Sequence, residues 1–525
     1  MKRAWITFVF VVASVLTLTG CGGGQTGSGA GAAPTRSGGT IVVALPASLE
    51  SYDPAMYRSR PTEAVLANIF DELVVRLPNG RIVPDLASSY QQLDATRWRF
   101  TLRRNVRFQN GQLLTADDVK FTLDRVSQPN QVDGKTSLRQ SLLPAMDPAT
   151  VEGPSSLIVT LKSPSPADIL LAGLAHIQIV PAKLINGEGS TAFAAHPVGT
   201  GPFEFVAGQL DDETVLQRFP GYWGGPPQLG VPGPARLDRV VFKVIPELSS
   251  ALAGLTSGSV QIVQGVTPDQ VRSLKANPAV VVKSYQDTNT VWFAMNVAKP
   301  PFDRVQIRQA MNHAININSI VNHIYDGQAA RMTGPVPPFS SYYDTSLKPY
   351  SYDPAEAKRL LAAGGYPNGF SLVIDTTAPY QDAAEAAAQD LQKVGVTATV
   401  RLWDVTALRQ ATLAGQRQMA LMSWGNSFRH PFDLLNPTLG SGQRGNFADY
   451  SNPQVDSLLA AAATTTDHAK AAADYAKVQQ IIYQDAPWVF GWAPKAIEAG
   501  SARLRGWQPG PDGMELLVHV SMNGA

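Results

Sequence analysis

The chain has 525 residues and is nearly neutral, with 43 lysines and arginines against 42 aspartates and glutamates. This balance lacks the basic surplus that suits nucleic acids or anionic membrane surfaces, so neither is predicted as a partner. The length allows two or three domains with sizeable cores, and a single cysteine excludes an internal disulfide.

The N-terminus has the pattern of an export signal. Two basic residues precede an apolar run from Trp5 to Leu18, which is too short to span a bilayer comfortably. The small residues before Cys21 resemble the lipobox of bacterial lipoproteins, in which the cysteine is diacylated and becomes the mature N-terminus. We therefore expect a signal peptide at residues 1–20 and a lipid anchor at Cys21. The mature protein is expected on the extracytoplasmic face of the cell membrane, in the periplasmic or cell-wall space.

The first half of the chain alternates predicted strands and helices. After a tether at 21–39, whose Gly, Ser and Ala residues predict flexibility, an apolar run at 41–45 predicts a buried strand. Apolar and polar residues alternate over 97–103, which is the period of a half-buried strand. Thr115 offers an N-cap with an acidic residue at Asp118, which predicts that a helix begins there.

The second half continues in the same way. Asp303 can cap one helix, and Asp353 can cap another that is predicted to end at Gly364. A strand, an Ala-rich helix and a second strand follow within residues 370–402, which predicts a right-handed β-α-β unit with a parallel pair. The predicted architecture is α/β, with more than one lobe.

Sequence blocks along nearly the whole mature chain resemble those of one known family. They include Pro84-Asp85-Leu86-Ala87, Val106-x-Phe108, Thr115-Ala116-Asp117-Asp118-Val119, Pro197-Val198-Gly199-Thr200-Gly201-Pro202-Phe203, Tyr222-Trp223, Pro301-Phe302-Asp303 and Tyr352-Asp353-Pro354. The family is that of the family 5 extracellular solute-binding proteins of ABC importers, which bind peptides, oligopeptides and nickel. The resemblance implies a two-lobed periplasmic-binding-protein-like α/β fold of the large type, with three subdomains and hinge closure.

The resemblance also implies where the lobes begin and end. Lobe I is expected at residues 40–285, with an inserted subdomain at about 78–195. Lobe II is expected at 286–488, and residues 489–525 are expected to return to lobe I. Such a protein closes around its solute because the solute binds the closed form better.

The loop that begins at Trp424 lies where the family places its main ligand contacts. Peptide-binding relatives usually carry an aspartate three residues after the tryptophan of this loop, and its carboxylate holds the α-ammonium group of the peptide. Ser427 takes that position here, so we expect poor binding of free-amine peptides unless another acid, such as Asp53 or Asp433, replaces it. The predicted ligand-binding residues are Trp424, Asn426, Ser427, Phe428, Arg429, His430, Trp292 and Tyr57.

Each of these assignments has a structural alternative. Arg429 can make a bidentate contact with a carboxylate or phosphate, and His430 can add a pH-dependent donor. The alternative for both residues is an exposed position on the loop without a ligand contact. The aromatic residues Trp424, Trp292 and Tyr57 otherwise pack inside a lobe, which is the usual place for such side chains.

The leading hypothesis is a lipid-anchored solute-binding protein of an ABC transporter. It captures a peptide or other small polar solute between two lobes and delivers it to a membrane permease for transport. The substitution at Ser427 leaves blocked peptides, sugars and small anions open as ligands. The alternative function is a non-transport envelope lipoprotein that uses the same fold as a regulator or interaction partner.

Enzyme activity is not predicted. The chain contains no G-x-S-x-G or H-E-x-x-H motif, and its seven histidines show no metal-ligand spacing. We therefore predict a monomeric binding protein without a cofactor, a metal or a nucleic-acid partner.

Overall fold

The computed structural model describes residues 38–77, 79–230, 233–510 and 514–523. The predicted signal peptide, Cys21 and nearly all of the tether lie outside these residues. Within the described ranges, no helix combines the length and the apolar character that a membrane span requires.

The strands of the described residues form one twelve-stranded sheet, one four-stranded sheet and two pairs. They are β1 Thr40–Leu45, β2 Val74–Arg76, β3 Ile82–Pro84, β4 Ala87–Gln92, β5 Arg97–Leu102, β6 Thr150–Gly153, β7 Ser156–Thr160, β8 Phe203–Gly208, β9 Glu213–Arg218, β10 Arg239–Val244, β11 Ile262–Val263, β12 Val280–Gln286, β13 Asn289–Met295, β14 Ala329–Arg331, β15 Ser371–Thr376, β16 Thr397–Leu402, β17 Met419–Gly425, β18 Trp488–Ser501, β19 Leu504–Arg505 and β20 Ser521–Met522.

The α-helices lie mainly between the strands, and α4 is kinked at Gly189. They are α1 Arg60–Leu66, α2 Ala116–Ser127, α3 Ala167–Leu174, α4 Ala182–Ala195, α5 Leu248–Ser257, α6 Val271–Lys275, α7 Val305–Ala314, α8 Ile317–Ser319, α9 Pro354–Ala363, α10 Gln381–Gln392, α11 Val405–Leu413, α12 Pro431–Leu439, α13 Pro453–Thr464 and α14 His468–Asp485.

Two of the three helix starts predicted from sequence, at Thr115 and Asp353, are confirmed. The prediction that Asp303 caps a helix was wrong, because the N-cap of α7 is Arg304 and no side chain caps that helix. The backbone N–H of Thr115 donates to the Asp118 carboxylate over 2.9 Å at the start of α2. The Asp353 carboxylate accepts hydrogen bonds from the backbone N–H groups of Ala355 and Glu356, both over 3.0 Å, at the start of α9. These contacts satisfy backbone donors for which a helix end has no internal partner. The β-α-β unit is also confirmed, because β15 and β16 are parallel neighbours joined through α10.

The large sheet is continuous across its middle because of β18. The strand order is β16-β15-β17-β13-β18-β11-β1-β10-β9-β8, and β12 and β14 also pair with β18. Residues 488–494 of β18 pair with β13 and β14, whereas residues 495–501 pair with β12 and β11. One strand therefore belongs to both halves of the sheet.

Strand β13 is covered on both of its faces. Val291 and Phe293 pack in an apolar cluster with residues of α7, α9 and α10. Trp292 and Ala294, which point to the opposite face, pack in a second cluster with residues of α12, α13 and α14. This three-layer arrangement confirms the predicted α/β class, and it holds the end of the neighbouring strand β17 on a rigid support.

Candidate functional site

The loop between β17 and α12 contains most of the predicted binding residues, and Asn426 holds its shape. The Asn426 backbone N–H donates to the Thr288 carbonyl over 2.8 Å. Its side-chain Nδ2 donates to Ser340 Oγ over 2.9 Å, and its Oδ1 accepts the backbone N–H of His430 over 3.0 Å. Asn426 is fully buried. In this structure its amide therefore bonds within the fold, and contact with a solute stays a prediction.

Ser427 lines a cavity of about 180 Å³, which we call the basic cavity. The other walls are Arg58, Arg60, Glu63, Leu138, Arg139, Ser141, Leu142, His176 and Thr288. Most of these side chains are charged or polar, so the basic cavity suits a polar group of a solute rather than an apolar one.

The arginines of the basic cavity differ in their partners. Arg60 forms an ion pair with Asp287. Arg139 pairs with Glu63, with 3.1 Å between Nη2 and Oε1. Arg58 forms no ion pair with any residue that the structure describes. Arg58 is therefore the cation of this cavity that is best placed to meet an anionic group.

Glu63 is ionised although it is buried. Its Oε1 lies 2.9 Å from His176 Nδ1. Burial alone would raise the pKa of Glu63, but the charge of Arg139 and the hydrogen bond from His176 lower this pKa to about 2. Tyr57 is fully buried beneath Arg139, with the guanidinium 4.2 Å from the ring centre, and its hydroxyl donates to Gln178 Oε1 over 3.2 Å. Tyr57 therefore packs behind Arg139 and does not itself line the basic cavity.

A second cavity of about 380 Å³, which we call the apolar cavity, adjoins the basic one. Ser141 lines both cavities, and Phe428, which lines the apolar cavity, follows Ser427 in the loop. Its apolar walls are Leu143, Pro144, Ala145, Pro164, Ile169, Phe428, Phe432, Pro437 and Ala463. The charged residues among its walls are Asp433 and Arg444. Together the two cavities offer space for a charged group beside space for an apolar one.

A third cavity of about 430 Å³ borders Phe428, Arg429 and His430. Arg429 is half-buried, and its Nη2 donates to the Gln286 carbonyl over 3.3 Å. His430 is 1% exposed, and its Nε2 lies 3.5 Å from Asp168 Oδ2. Neither residue is an exposed loop position, because both contact segments that are distant in sequence.

Two predicted aromatic residues lie inside the fold. Trp292 is fully buried and stacks on Trp488, with 4.0 Å between the ring centres. Trp424 is 9% exposed, and the guanidinium groups of Arg444 and Arg409 lie 4.8 and 5.5 Å from its ring centre. Neither tryptophan lines the three cavities in this structure. Their contact with a solute stays a prediction.

The two acids considered as replacements for the missing aspartate have different surroundings. Arg125 contacts both oxygens of Asp53, over 2.8 and 2.5 Å, and both side chains are 3% exposed. This buried ion pair leaves no room for an ammonium group. Asp433 instead lines the apolar cavity, where its Oδ2 accepts the backbone N–H of Phe428 over 3.2 Å.

Sequence reasoning missed the cationic wall of the basic cavity. Arg58 and Arg60 stand directly before and at the first turn of α1, although positive charges are unfavourable near a helix N-terminus. That local anomaly is the one signal that was present in the sequence. Arg139 and His176 come from separate segments and carried no such signal.

Within the described ranges, no set of His, Cys, Asp and Glu side chains is placed to hold a metal ion.

Comparison with curated proteins finds close relatives over almost the full length. The glutathione-binding protein GsiB of Escherichia coli O1:K1 / APEC is 32% identical over 489 residues, which cover 90% of this chain and 92% of that protein. GsiB of Pectobacterium atrosepticum is 30% identical over 496 residues, which cover 92% and 94% of the two chains.

The family and the fold agree with these relatives. The family model for bacterial extracellular solute-binding proteins, family 5 Middle, matches residues 81–446. The periplasmic binding protein DppA from Helicobacter pylori, in complex with the peptide STSA, superimposes with a TM-score of 0.74 at 28% identity, over 93% of this chain and 98% of that one. This likeness confirms the two-lobed periplasmic-binding-protein fold. The chain therefore belongs to the bacterial extracellular solute-binding proteins of family 5.

Proposed function

We propose that this solute-binding protein is the receptor of an ABC importer, and that it captures a peptide between its lobes and delivers it to a membrane permease. The observation that carries the proposal is the composition of the basic cavity. Arg58 and Arg139 come from the N-terminal part of the chain, whereas Thr288 and Ser427 come from the part assigned to lobe II. A solute that contacts all of them favours the closed form.

We propose the lobe boundaries that the family resemblance implies. Lobe I takes residues 40–285 with a subdomain at about 78–195 inserted, lobe II takes 286–488, and 489–525 return to lobe I. The first boundary is supported by the change from β12 to β13, which lie in different halves of the sheet. The return is supported by residues 495–501 of β18, which pair with β12 and β11.

A peptide-type solute agrees with both the cavities and the relatives. The GsiB relatives are named for glutathione, and the DppA structure contains a peptide. A charged cavity beside a mainly apolar one suits a molecule that has ionic ends and apolar side chains. Sugars lack such ionic ends and suit the pair less well.

Thermal unfolding of the mature protein with Cys21→Ser, which removes the lipid, tests the proposed function. The panel contains glutathione, free-amine tripeptides, N-acetylated tripeptides, oligosaccharides and small anions. A ligand at a hundred times its dissociation constant adds about 2.7 kcal/mol to the free energy of unfolding, so the midpoint rises by a few degrees. Stabilisation by sugars or anions alone would contradict a peptide receptor, and no stabilisation at all would favour the envelope regulator.

We propose that Cys21 carries the lipid anchor and that the mature protein is a monomer at the extracytoplasmic face of the membrane. The lipobox-like residues before Cys21 and the Gly-rich segment after it support this placement. In cell fractionation, the wild type should sediment with membranes and Cys21→Ser should become soluble. Light scattering on the soluble variant should give the mass of one chain, and a larger mass would contradict the monomer.

A further inference from the structure

A fourth cavity of about 620 Å³, which we call the outer cavity, lies in the part of the chain assigned to lobe II. Its walls carry three asparagines, two serines, a histidine, a tyrosine, a proline and an arginine, all between residues 316 and 352. No residue of these walls lines any of the three cavities described above. The outer cavity is therefore separate from the candidate solute site, and its volume is sufficient for a sugar-sized molecule.

Arg331 of β14 gives the outer cavity a cation without a counter-charge. Its Nη1 donates to Asn318 Oδ1 over 3.0 Å, and its Nη2 donates to the carbonyl of Tyr350. Its Nε is buried and has no hydrogen-bond partner among the described residues, and none of their acids forms an ion pair with Arg331. Burial lowers the pKa of Arg331, because a charge without a counter-charge is costly to hold away from water.

Two carboxylates that adjoin these walls are engaged elsewhere. Asp390 accepts the backbone N–H of the wall residue Asn316 over 2.9 Å, and it pairs with Lys393, with 2.8 Å between Oδ1 and Nζ. Asp353, which follows the wall residue Tyr352, caps α9. None of the wall residues is itself acidic, so the outer cavity suits an anionic group.

A π-helical turn at Ile320–Ile324 adds further polar groups to the outer cavity. The backbone N–H of Tyr325 donates to the Ile320 carbonyl over 3.2 Å, which is the five-residue spacing of a π-helix. Asn322 and His323 lie in this turn and line the cavity, and their side chains form no hydrogen bond within the described ranges. Such turns are rare and are frequent at functional sites. An asparagine amide both donates and accepts, which matches the hydroxyl groups of a ligand.

We propose that the outer cavity is a second binding site, which takes a small molecule with both an oxyanion and hydroxyl groups, such as a sugar acid or a sugar phosphate. The oxyanion meets Arg331, and the hydroxyl groups meet the asparagine amides and the serines. The inference goes beyond the proposed function, because this site leaves the cleft between the lobes free. One chain can therefore hold a peptide and an anionic sugar at the same time.

Calorimetric titration of the mature protein with Cys21→Ser tests the inference. The probes are glucuronate, glucose 6-phosphate, glucose and inorganic phosphate, each with and without saturating glutathione. We expect at least one of the two sugar anions to bind about tenfold or more tightly than glucose and inorganic phosphate, and to do so in the presence of glutathione. The sugar anion that binds identifies the oxyanion as a carboxylate or a phosphate. Absence of binding by both sugar anions, equally tight binding of glucose or inorganic phosphate, or a heat of binding that glutathione abolishes would overturn the inference.

Three variants make the result specific to the outer cavity. Arg331→Gln removes the charge and should weaken the binding of the sugar anion about tenfold or more. Asn322→Ala changes an exposed side chain without a partner in the described chain, so the fold should be kept while the affinity falls about threefold. The control is Arg107→Gln, which removes an exposed arginine that lines none of the four cavities and should behave like the wild type. Unfolding midpoints check that each variant folds. An unchanged affinity in Arg331→Gln or in Asn322→Ala would overturn the assignment of the outer cavity while the receptor function stands.

Discussion

Arg58 and Asp433 place opposite charges in two cavities that meet at Ser141. Arg58 is exposed, whereas Asp433 is half-buried. The strength of a charge contact rises as water is excluded from it. We therefore expect Asp433 to contribute more to specificity and Arg58 to contribute a smaller, salt-sensitive share.

The variant Arg58→Gln measures that smaller share. We expect it to weaken the binding of a peptide with a free C-terminal carboxylate about fivefold, because an exposed ion pair is worth up to about 1 kcal/mol. A C-terminally amidated peptide should bind the variant and the wild type equally. Arg272→Gln serves as the control, since its side chain is 87% exposed and lies outside both cavities. An equal loss for the amidated peptide would mean that Arg58 does not meet the carboxylate.

Only the part of the site that lies in one continuous stretch of the chain was predictable from the sequence. The loop that carries Ser427 and Phe428 was predicted from its resemblance to the ligand-contact loop of the family, and both residues line cavities. Arg139 and His176 were not predictable, because they reach the basic cavity through the packing of a separate subdomain. The sequence named Asp53 and Asp433 as candidate acids, but only the folded loop shows that Asp433 is the one that lies beside Ser427.

At the scale of elements, β18 brings a buried acid close to the C-terminal segment. Glu498 of β18 and Glu515 are 2% and 0% exposed. Burial raises the pKa of both carboxyl groups, and the charge of Glu515 raises that of Glu498 further. Oε2 of each residue has no hydrogen-bond partner among the described residues. A proton shared between the two carboxyl groups would satisfy both oxygens.

The variant Glu515→Gln tests this pairing through the pH dependence of stability. Because the pKa values are raised in the folded state, folding takes up protons as the pH rises above about 4.5, and stability is lost as the pH passes the raised values. Glu515→Gln removes that loss, so its unfolding midpoint should exceed that of the wild type at pH 8 and match it near pH 5. The control is Glu385→Gln, which changes an exposed carboxylate. Parallel curves for Glu515→Gln and the wild type would contradict the shared proton.

Elements were predictable where local signals agree. The unit β15-α10-β16 was recognised because alternating strands flank an Ala-rich helix over a short stretch. The change of pairing partners along β18 was not recognised, because residues 488–494 and 495–501 both belong to one uninterrupted strand. Strand partners depend on distant segments, which local periodicity does not report.

At the scale of the molecule, His430 connects the loop to α3. His430 Nδ1 accepts the backbone N–H of Phe432 over 3.2 Å, so Nε2, which faces Asp168 over 3.5 Å, is the ring nitrogen that carries a proton. Burial raises the pKa of Asp168, but its hydrogen bond and charge interaction with His430 outweigh this and lower it. Under the proposed division, this contact joins lobe II to the subdomain of lobe I.

The variant Asp168→Asn should make the closed form less favourable. Since the pKa of Asp168 is lowered, its contribution is complete at neutral pH and is lost only as the pH falls below about 3.8. We expect a threefold to tenfold loss of peptide affinity at pH 7, of about 1 kcal/mol, with a larger radius of gyration by X-ray scattering at equal peptide concentration. Asp117→Asn, on the exposed face of α2, is the control. An unchanged radius would show that the contact does not favour closure.

The position of β18 also constrains the order in which the protein folds. Strand β18 follows all the other strands of the large sheet in the chain, yet it lies between β13 and β11 in the middle of that sheet. Until this strand arrives, the sheet is divided and the facing edges of β13 and β11 have no partner. Its long-range pairings also slow folding. In a nascent chain the large sheet therefore stays divided until β18 has followed the strands on both of its sides.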